Sequence, residues 1–217
     1  MYKAVIFDLD GTVADTLEDL ASAVNHALTE SGFDPYPVDD YRHFVGNGVD
    51  SLIRTVLKDH ATDELMLRLK EEFRDYYAAH VLDHTKAYSG MAQLLKKLRE
   101  ENILTAVISN KPDRYVPKIL EALYPDHRFD LQWGQREGIE RKPAPDSLYQ
   151  ALEHFSLSPK DALYVGDSDV DVRFAHNAGL KVCGVEWGFR GREELLSSGA
   201  DFIVKTPEEL YPIIKES

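Results

Sequence analysis

A short apolar run near the start of the chain is followed at once by two acidic residues. Residues 4–7 (Ala-Val-Ile-Phe) predict a strand buried on both faces, and Asp8, Asp10 and Gly11 come soon after it. Side chains two positions apart in an extended chain point to the same side, so both carboxylates can face one pocket beyond the strand. Open α/β sheets bind their ligands at that end. An isolated Asp-x-Asp is more often a turn or a helix cap, so the interpretation depends on the rest of the chain.

The order of the later elements predicts the fold class. From residue 89 onward, apolar runs typical of buried strands alternate with segments whose apolar residues recur at helical spacing. The predicted strands cover residues 103–108, 129–133, 162–165, 181–185 and 202–204. The predicted helices cover residues 94–98, 116–123, 145–154, 170–178, 193–198 and 207–214. This alternation indicates an α/β fold with a parallel sheet and helices on both faces.

The segment between residues 15 and 85 has a different pattern, with no strand-like run. The predicted helices of this segment cover residues 17–28, 49–57 and 63–77. Asp15 or Thr16 is the predicted cap of the first helix, with Asp19 three residues beyond Thr16. The predicted domains are a core of residues 1–14 and 86–217 and an all-helical domain of residues 15–85.

Composition argues against several classes of protein. Lys and Arg total 25 and Asp and Glu total 38, and the net charge of −13 argues against nucleic acid or an anionic membrane as the main partner. The single cysteine, Cys183, cannot form an intramolecular disulfide, and a small core residue in a reducing compartment is the favoured interpretation. The run at residues 4–7 is too short for a signal peptide or a membrane span, and no longer run follows. We expect a cytoplasmic monomer or homodimer.

Three predicted strands end in polar residues that can share one site. These residues are Asp8 and Asp10 after the first strand, Ser109 and Asn110 after the second, and Asp167 and Asp171 after a later one. Lys142 lies between the last two groups, just before the start of a helix. Because the carboxyl ends of parallel strands lie along one edge of the sheet, we expect the acids, the Ser hydroxyl and the Lys to converge. Alone, Lys142 would be an ordinary surface lysine, and Ser-Asn would be a turn.

As a set and in this order, these motifs resemble those of the haloacid dehalogenase superfamily of phosphotransferases. The motifs are Asp-x-Asp-Gly-Thr at 8–12, Ser-Asn at 109–110, Lys142, and Gly-Asp-Ser-x-x-Asp at 166–171. The resemblance covers the whole chain. It implies a Rossmann-like three-layer α/β/α core with a parallel sheet and a small helical cap domain inserted after the first strand. Within that superfamily, Asp10 argues against a dehalogenase, and Thr12 favours a phosphatase.

The resemblance also implies a role for each residue. Asp8 would attack phosphorus and form an aspartyl-phosphate, while Asp10 would protonate the leaving alkoxide and later deprotonate the hydrolytic water. Mg²⁺ would be held by the Asp8 carboxylate, the Asp10 carbonyl and Asp167. The predicted ligands of the phosphoryl group and substrate are Ser109, Lys142, Asn110, Gly11 and Thr12. The predicted supporting residues, which would orient Lys142 or the waters of the metal, are Ser168 and Asp171.

The helical insert and a later segment resemble the phosphoglycolate-phosphatase-like branch of the superfamily. Residues 187–195 (Trp-Gly-Phe-Arg-Gly-Arg-Glu-Glu-Leu) match that branch's Trp-Gly-x-Arg-x-Arg-Glu-x-Leu segment. In that branch a loop of the cap approaches the substrate, and the corresponding residues here are Arg42, Gly46, Asn47 and Gly48. The cap would close over the site, exclude water and contact the leaving group.

The sequence therefore predicts a Mg²⁺-dependent phosphomonoesterase that hydrolyses a small phosphorylated metabolite, with 2-phosphoglycolate as the first candidate. Three alternatives stay open. One is a sugar phosphomutase, in which the phosphorylated Asp8 outlives substrate exchange and returns its phosphoryl group. Another is a pyrophosphatase or nucleotidase of the same superfamily. The third is a catalytically silent binding protein, which the intact set of motif residues disfavours.

Overall fold

The computed structural model describes residues 1–216, and Ser217 lies outside the described part of the chain. The strands are β1 (Ala4–Phe7), β2 (Ala14–Asp15), β3 (Lys86–Ala87), β4 (Leu104–Pro112), β5 (Leu131–Gln135), β6 (Ala162–Gly166), β7 (Lys181–Val185) and β8 (Phe202–Val204). The helices are α1 (Leu17–Glu30), α2 (Tyr41–Phe44), α3 (Val49–Leu57), α4 (Asp63–His80), α5 (Met91–Glu100), α6 (Tyr115–Leu123), α7 (Asp146–Phe155), α8 (Asp169–Asn177), α9 (Arg192–Ser197) and α10 (Pro207–Glu216). Within residues 1–216, no helix has both the length and the apolar composition that a membrane crossing requires.

Six strands form one parallel sheet in the order β5-β4-β1-β6-β7-β8. The first strand lies inside the sheet, where Phe7 pairs with Val107 of β4 and with Val165 of β6. The chain builds outward from β1 to β4 and β5 and then crosses to β6 on the other side. In open α/β sheets, ligands bind at the carboxyl ends of the strands where the winding reverses in this way. The predicted parallel sheet is confirmed, and Asp8 follows the strand at which the winding reverses.

Apolar side chains of β1 alternate between the two faces of the sheet. Val5 and Phe7 pack into the cluster formed with α5, α6 and α10, whereas Ala4 and Ile6 pack into the cluster formed with α7, α8 and α9. All four side chains are fully buried, because helices cover both faces of the sheet. This double burial explains why the sequence of β1 is a continuous apolar run rather than an alternating one.

The helical segment (residues 16–85) leaves the core and rejoins it at one place. The two-residue strands β2 and β3 pair antiparallel at its ends. Next to them, the buried carboxylate of Asp19 accepts hydrogen bonds from the main-chain amides of His84 and Thr85, both at 2.9 Å. Buried side chains of α1 and α4 continue into the apolar cluster on one face of the sheet. The division into two domains at residues 15 and 85 therefore stays a prediction.

Two local features differ from the sequence-based expectations because long-range contacts decide them. Thr16 precedes α1 as predicted, but its side chain makes no capping hydrogen bond. Its hydroxyl donates instead to Oδ1 of Asp10 at 2.6 Å. Strand β4 continues beyond the predicted end at residue 108, because Pro112 still pairs with Gln135 of β5 after an irregularity in the ladder. The residues after Ile108 are therefore held by the sheet rather than by a loop.

Candidate active site

The carboxyl ends of β1, β4 and β6 bring the predicted polar residues together. The ladders place Phe7 of β1 beside Val107 of β4 and Val165 of β6, so the residues that come next along these strands share one edge of the sheet. Asp8, Ser109 and Asp167 are all buried there. Burial of polar and charged side chains costs free energy unless they are paired. Their contacts therefore decide what the site can do.

Lys142 joins two of the carboxylates. Its ammonium group lies 2.8 Å from Oδ1 of Asp8 and 2.8 Å from Oδ1 of Asp171. It also donates to the hydroxyl of Tyr164 at 3.0 Å, and only 4% of its side chain is exposed. Burial disfavours the charge, but the carboxylates of Asp171 and Asp8 outweigh burial and raise the pKa of Lys142 above its usual range. Lys142 is therefore a fixed positive charge at the base of the site.

Asp171 positions Lys142 and closes the start of α8. Its Oδ2 accepts hydrogen bonds from the main-chain amide of Ser168 at 3.2 Å and from the Ser168 hydroxyl at 2.7 Å. Its Oδ1 accepts from Lys142 and from the hydroxyl of Tyr164 at 3.0 Å. Protein groups thus occupy both oxygens, as expected of a carboxylate that holds a lysine in place. Nothing in the sequence singles out Tyr164, because it lies within a buried apolar strand.

Asp8, Asp167 and Asp171 form a buried acidic cluster, with one oxygen of each within 4.8 Å of the others. Burial, followed by repulsion from Asp171 and Asp10, raises the pKa of Asp8 to about 7, although Lys142 opposes the shift. Burial, followed by repulsion from Asp171 and Asp8, raises the pKa of Asp167 well above its ordinary value. Both shifts indicate that the cluster lacks positive charge.

A divalent cation fits this lack of positive charge. The ionisable groups of the site, all buried except the half-buried Asp10, are Asp8, Asp10, Asp167, Asp171, Lys111 and Lys142. Four carboxylates thus face two ammonium groups, and two negative charges are left unbalanced. Gly11 leaves room beside the cluster, since its φ is +86° and a Cβ there would overlap the Asp167 carboxylate. Hard carboxylate and carbonyl oxygens are the donors that Mg²⁺ prefers.

Asp10 is turned toward Lys111 and Thr16. Nζ of Lys111 lies 2.8 Å from Oδ1 of Asp10, and the Thr16 hydroxyl donates to the same oxygen. The Lys111 side chain is 2% exposed, and its ammonium group lies 4.8 Å from the centroid of the Tyr77 ring. Neither Lys111 nor Thr16 belongs to the set that the sequence predicts. The position of Lys111 directly after Ser-Asn is a signal for it, whereas Thr16 looks like an ordinary helix cap.

Ser109 and Asn110 lie at the end of β4 beside the cavity. The Asn110 side chain donates to the carbonyl of Gly46 at 3.0 Å and accepts from the amide of Lys142 at 2.9 Å. It thereby ties the helical segment and the Lys142 loop to the sheet. Oγ of Ser109 accepts from the amide of Lys111 at 3.2 Å, and its hydroxyl can still donate to a ligand.

These residues open into a cavity of about 50 Å³ between the sheet edge and the helical segment. The sheet side of the lining is polar and consists of Asp8, Asp10, Ser109, Asn110, Lys111 and Lys142. The helical side is mainly apolar and consists of Leu20, Val45, Gly46, Gly48, Val49, Leu52, Phe73 and Tyr77. A concave site of this size with a few polar groups at one end suits a small ligand.

Four predicted substrate-binding residues, Gly11, Thr12, Arg42 and Asn47, are not part of this lining in the described structure. Nη1 of Arg42 donates to the carbonyl of Gly188 at 3.4 Å, and Asn47 is exposed. Thr12 is buried, and its carbonyl accepts from Nε1 of Trp187 at 3.0 Å. A substrate role for these four residues stays a prediction, and for Arg42 and Asn47 it requires the helical segment to move.

The segment 187–195 connects the acidic cluster with the helical segment. The amide of Phe189 donates to Oδ2 of Asp167 at 2.6 Å. Next to it, Nη2 of Arg190 donates to the carbonyl of Val45 at 3.0 Å, and Nη1 lies 3.2 Å from Nδ1 of His43. This segment therefore orients one carboxylate of the site and holds one wall of the cavity.

The motifs fall within a known family model. A model described as haloacid dehalogenase-like hydrolase matches residues 5–185, which is most of the chain. The matched range contains the acidic residues at both ends of the site, Asp8 and Asp171, and the lysine between them, Lys142.

Full-length relatives show the same likeness. The chain is 35% identical to the phosphoglycolate phosphatase of Mannheimia succiniciproducens and 34% identical to that of Aquifex aeolicus, over 98% of this chain in both cases and 98% and 96% of theirs. The solved structure of a candidate phosphoglycolate phosphatase from Lactobacillus delbrueckii subsp. bulgaricus superposes with a TM-score of 0.94 at 34% identity, over 98% of both chains. The fold and the family resemblance predicted from the motifs are therefore confirmed.

Proposed function

Because this chain belongs to the haloacid dehalogenase-like hydrolases and is a phosphatase of that family, we propose that it is a Mg²⁺-dependent phosphomonoesterase acting through an aspartyl-phosphate on Asp8. The observation that carries the proposal is the buried pairing of Asp8 with Lys142 beside Asp167, at the base of a small cavity. The proposed substrate is 2-phosphoglycolate, which the names of the full-length relatives support.

Mg²⁺ would be held by the carboxylates of Asp8 and Asp167 and by the main-chain carbonyl of Asp10. The unbalanced negative charge around Asp8 supports this assignment, and Asp171 is not needed as a ligand because protein groups occupy both of its oxygens. When bound, the cation would offset the charge of the phosphate ester and polarise its phosphoryl oxygens.

In the first half-reaction, a carboxylate oxygen of Asp8 attacks phosphorus while the bond from phosphorus to the ester oxygen breaks. Asp10 gives its proton to that oxygen, so that the leaving group departs as an alcohol. For this step the Asp10 carboxyl turns from Lys111 and Thr16 toward the ester oxygen. In the second half-reaction, Asp10 takes a proton from water, which attacks the phosphorus of the aspartyl-phosphate. Inorganic phosphate leaves, and the Asp8 carboxylate is restored.

The phosphoryl oxygens are bound by Lys142, the hydroxyl of Ser109 and the main-chain amide of Asn110. Lys142 is already oriented by Asp171 and Tyr164, so it does not need to reorganise when charge shifts in the transition state. Such preorganised charges act most strongly in a site from which water is excluded. The helical segment above the sheet edge would supply that exclusion.

The proposed ligand is a small phosphorylated metabolite rather than nucleic acid or a membrane surface. The net charge of −13 makes polyanions unfavourable partners. Cys183 is free and buried, which fits the reducing conditions of the proposed cytoplasmic location.

Phosphate release from a substrate panel tests the function. The panel holds p-nitrophenyl phosphate, 2-phosphoglycolate, a nucleoside monophosphate, glucose phosphates and pyrophosphate, each with Mg²⁺ and with EDTA. We expect turnover that needs Mg²⁺, is highest for 2-phosphoglycolate and falls by at least about 10⁴-fold in Asp8→Asn. The matched control is Asp169→Asn, because Asp169 lies on α8 near the site but pairs with the exposed Arg173 at 2.6 Å. This control should retain full activity.

Three results would contradict the proposal in different ways. Turnover that survives Asp8→Asn would mean that another group is the nucleophile. Turnover that survives EDTA would mean that the reaction does not need the metal. If no panel member is hydrolysed, isomerisation of a glucose phosphate with a bisphosphate primer would identify a phosphomutase instead.

A further inference from the structure

The cavity contains a second buried lysine that the phosphoryl chemistry does not use. Lys142 serves the phosphoryl group through its contacts with Asp8 and Asp171. Lys111 contacts neither of these carboxylates and pairs only with Asp10 among the acidic residues of the described chain. Its side chain is 2% exposed and lines the cavity. A buried cation that lines a ligand cavity and has a single acidic partner can also bind an anionic group of the ligand.

The position of Lys111 places it beside the leaving group. Asp10 is the residue that would protonate the ester oxygen, so the leaving group must come within hydrogen-bond distance of Asp10. Nζ of Lys111 lies 2.8 Å from the Asp10 carboxylate. A substituent two bonds from the ester oxygen would therefore reach Lys111.

Tyr77 offers a second donor at the same point. It projects from α4 of the helical segment, is 1% exposed and lines the cavity. Its hydroxyl proton has no acceptor among residues 1–216, although a buried hydroxyl normally finds one. The Lys111 ammonium group lies 4.8 Å from the centre of its ring. An ammonium group and an unpaired hydroxyl at one end of a cavity are suited to an anion.

The rest of the helical wall argues for a small leaving group. The nearest side chains on that wall are apolar, among them Leu20, Leu52 and Phe73. The hydroxyl groups of a sugar would lose their water there without gaining partners, which costs free energy for each one. A carboxylate on a short carbon chain has no such groups to satisfy.

We propose that Lys111 and Tyr77 form a carboxylate subsite, so that the preferred substrates are phosphate esters of short 2-hydroxycarboxylic acids. This inference rests on the proposed function and deepens it. It derives the chemical class of the leaving group from residues of this chain, independently of the names of its relatives.

The subsite also couples substrate recognition to catalysis. The substrate carboxylate replaces Asp10 as the partner of Lys111, and this exchange releases Asp10 toward the ester oxygen. A substrate without the carboxylate leaves Asp10 bound to Lys111. The ester oxygen of that substrate is therefore protonated less effectively. Recognition of the acid should thus raise kcat as well as lower KM.

A pair of substrates that differ only in this charge tests the proposal. We compare 2-phosphoglycolate with 2-phosphoglycolamide, its neutral isostere, in the wild type, Lys111→Met and Tyr77→Phe. The wild type should prefer the acid by about 100-fold in kcat/KM, and Lys111→Met should reduce this preference to below about tenfold. Tyr77→Phe should reduce it by about threefold. The ratio of the two substrates cancels effects of the substitution on folding and on binding of the phosphoryl group, which act on both substrates equally.

Lys96→Met is the matched control, because Lys96 lies exposed on α5 and faces Glu100 at 3.9 Å. It should keep the full preference. If the wild type hydrolyses acid and amide equally well, or if Lys111→Met keeps the preference, the subsite is refuted while the phosphatase function stands. If neither compound is hydrolysed, the proposed function itself fails. The wild-type comparison needs no variant, so the proposal can be refuted even if Lys111→Met does not fold.

Discussion

The two walls of the cavity use different chemistry. On the sheet wall, buried charges are locked together, with Lys142 between Asp8 and Asp171 and Lys111 on Asp10. On the helical wall the lining is mainly apolar, and Tyr77 supplies its one polar side chain within the described lining. Fixed charges can stabilise a transition state, whereas an apolar wall selects mainly by size and shape and discriminates weakly. The sheet wall can therefore set the reaction and, through Lys111, the charge of the substrate, whereas the helical wall can set the size and shape of the leaving group.

The two walls are also held differently. The sheet wall follows strands that are paired on both sides, and it cannot shift without breaking the ladder. The helical wall meets the core through its apolar contacts and a few polar links, such as Asn110 to Gly46 and Arg190 to Val45. Such links are weak individually and can open locally. We therefore expect the helical wall to move and the sheet wall to stay fixed during turnover.

The largest effect should come from removing a charge of the sheet wall. Lys142→Met should lower kcat for p-nitrophenyl phosphate by about 10³-fold, because the transition state loses its fixed cation. It should also lower the free energy of unfolding by about 3 kcal/mol, since Asp8 and Asp171 lose their buried partner. Turnover assays and urea unfolding measure the two effects. A kcat of this variant within tenfold of the wild-type value would show that Lys142 does not stabilise the transition state.

A smaller effect, on selectivity, should follow a change in the helical wall. Phe73 is 3% exposed and lines the cavity, so Phe73→Leu enlarges the space for the leaving group. The kcat/KM ratio of p-nitrophenyl phosphate to 2-phosphoglycolate should rise by about tenfold, while kcat for the chromogenic substrate changes by less than about threefold.

The control for this change is Phe155→Leu, which is on α7 and packs against the other face of the sheet. It should lower stability by a similar amount, about 1 kcal/mol, without altering the substrate ratio. If Phe73→Leu lowers kcat for both substrates equally, the helical wall takes part in the reaction and the comparison between the walls fails.

The links between the walls should give a still smaller effect. Arg190→Gln removes the contacts of the guanidinium group with the Val45 carbonyl and with Nδ1 of His43, so the closed position of the helical segment loses two polar links. KM for 2-phosphoglycolate should rise by about fivefold, with kcat unchanged within about twofold. Arg192→Gln is the control in the same segment, because Arg192 pairs with Glu186 instead. Equal KM values for the two variants would mean that Arg190 does not hold the closed position.

The smallest effect concerns His127, which is remote from both walls. It separates unfolding of the protein at low pH from loss of activity at the site. Burial, followed by the charge of Arg99, lowers the pKa of His127 to about 4, below the 6.5 of an unfolded chain. The unfolded state therefore binds the proton first as the pH falls, and stability is lost between about pH 6.5 and 4. Because His127 is half-exposed, the loss should be at most about 1 kcal/mol.

Urea unfolding at pH 7 and pH 4.5 checks this prediction in the wild type and in His127→Gln. The variant should show a smaller decrease between the two values. His60→Gln, which removes an exposed histidine of the helical segment, should behave as the wild type does. An identical pH dependence in all three proteins would show that His127 does not contribute to the acid sensitivity.

Much of the sheet wall could be predicted because its residues occur at strand ends. An apolar strand that is followed directly by an acidic residue is a local pattern, and it identifies Asp8 and Asp167. Parallel strands then present their carboxyl ends along one edge of the sheet. The structure brings these two residues to one place with Ser109 and Lys142, as expected. Their roles in catalysis stay proposals that the experiments above address.

The residues that sequence reasoning missed owe their positions to distant parts of the chain. Lys111 lines the cavity because pairing with β5 carries β4 on to Pro112. Tyr77 looks like one more core aromatic of α4 until the helix is seen beside Lys111. Thr16 has the features of a helix cap, but Asp10 takes its hydroxyl. No local pattern encodes these contacts, since each depends on how the helical segment and the sheet meet.

The place of β1 in the sheet has a consequence for the folding of the protein during its synthesis on the ribosome. Ala4 pairs with Leu104 and Ala162, so β1 emerges before these neighbours, which are synthesised about 100 and 160 residues later. At a synthesis rate of about 5–20 residues per second, the apolar side chains of β1 lack their native neighbours for on the order of ten seconds. The helical segment is complete well before then. A nascent chain that still lacks α8 has no Asp171, so hydrolytic activity should arise only after α8 has been synthesised.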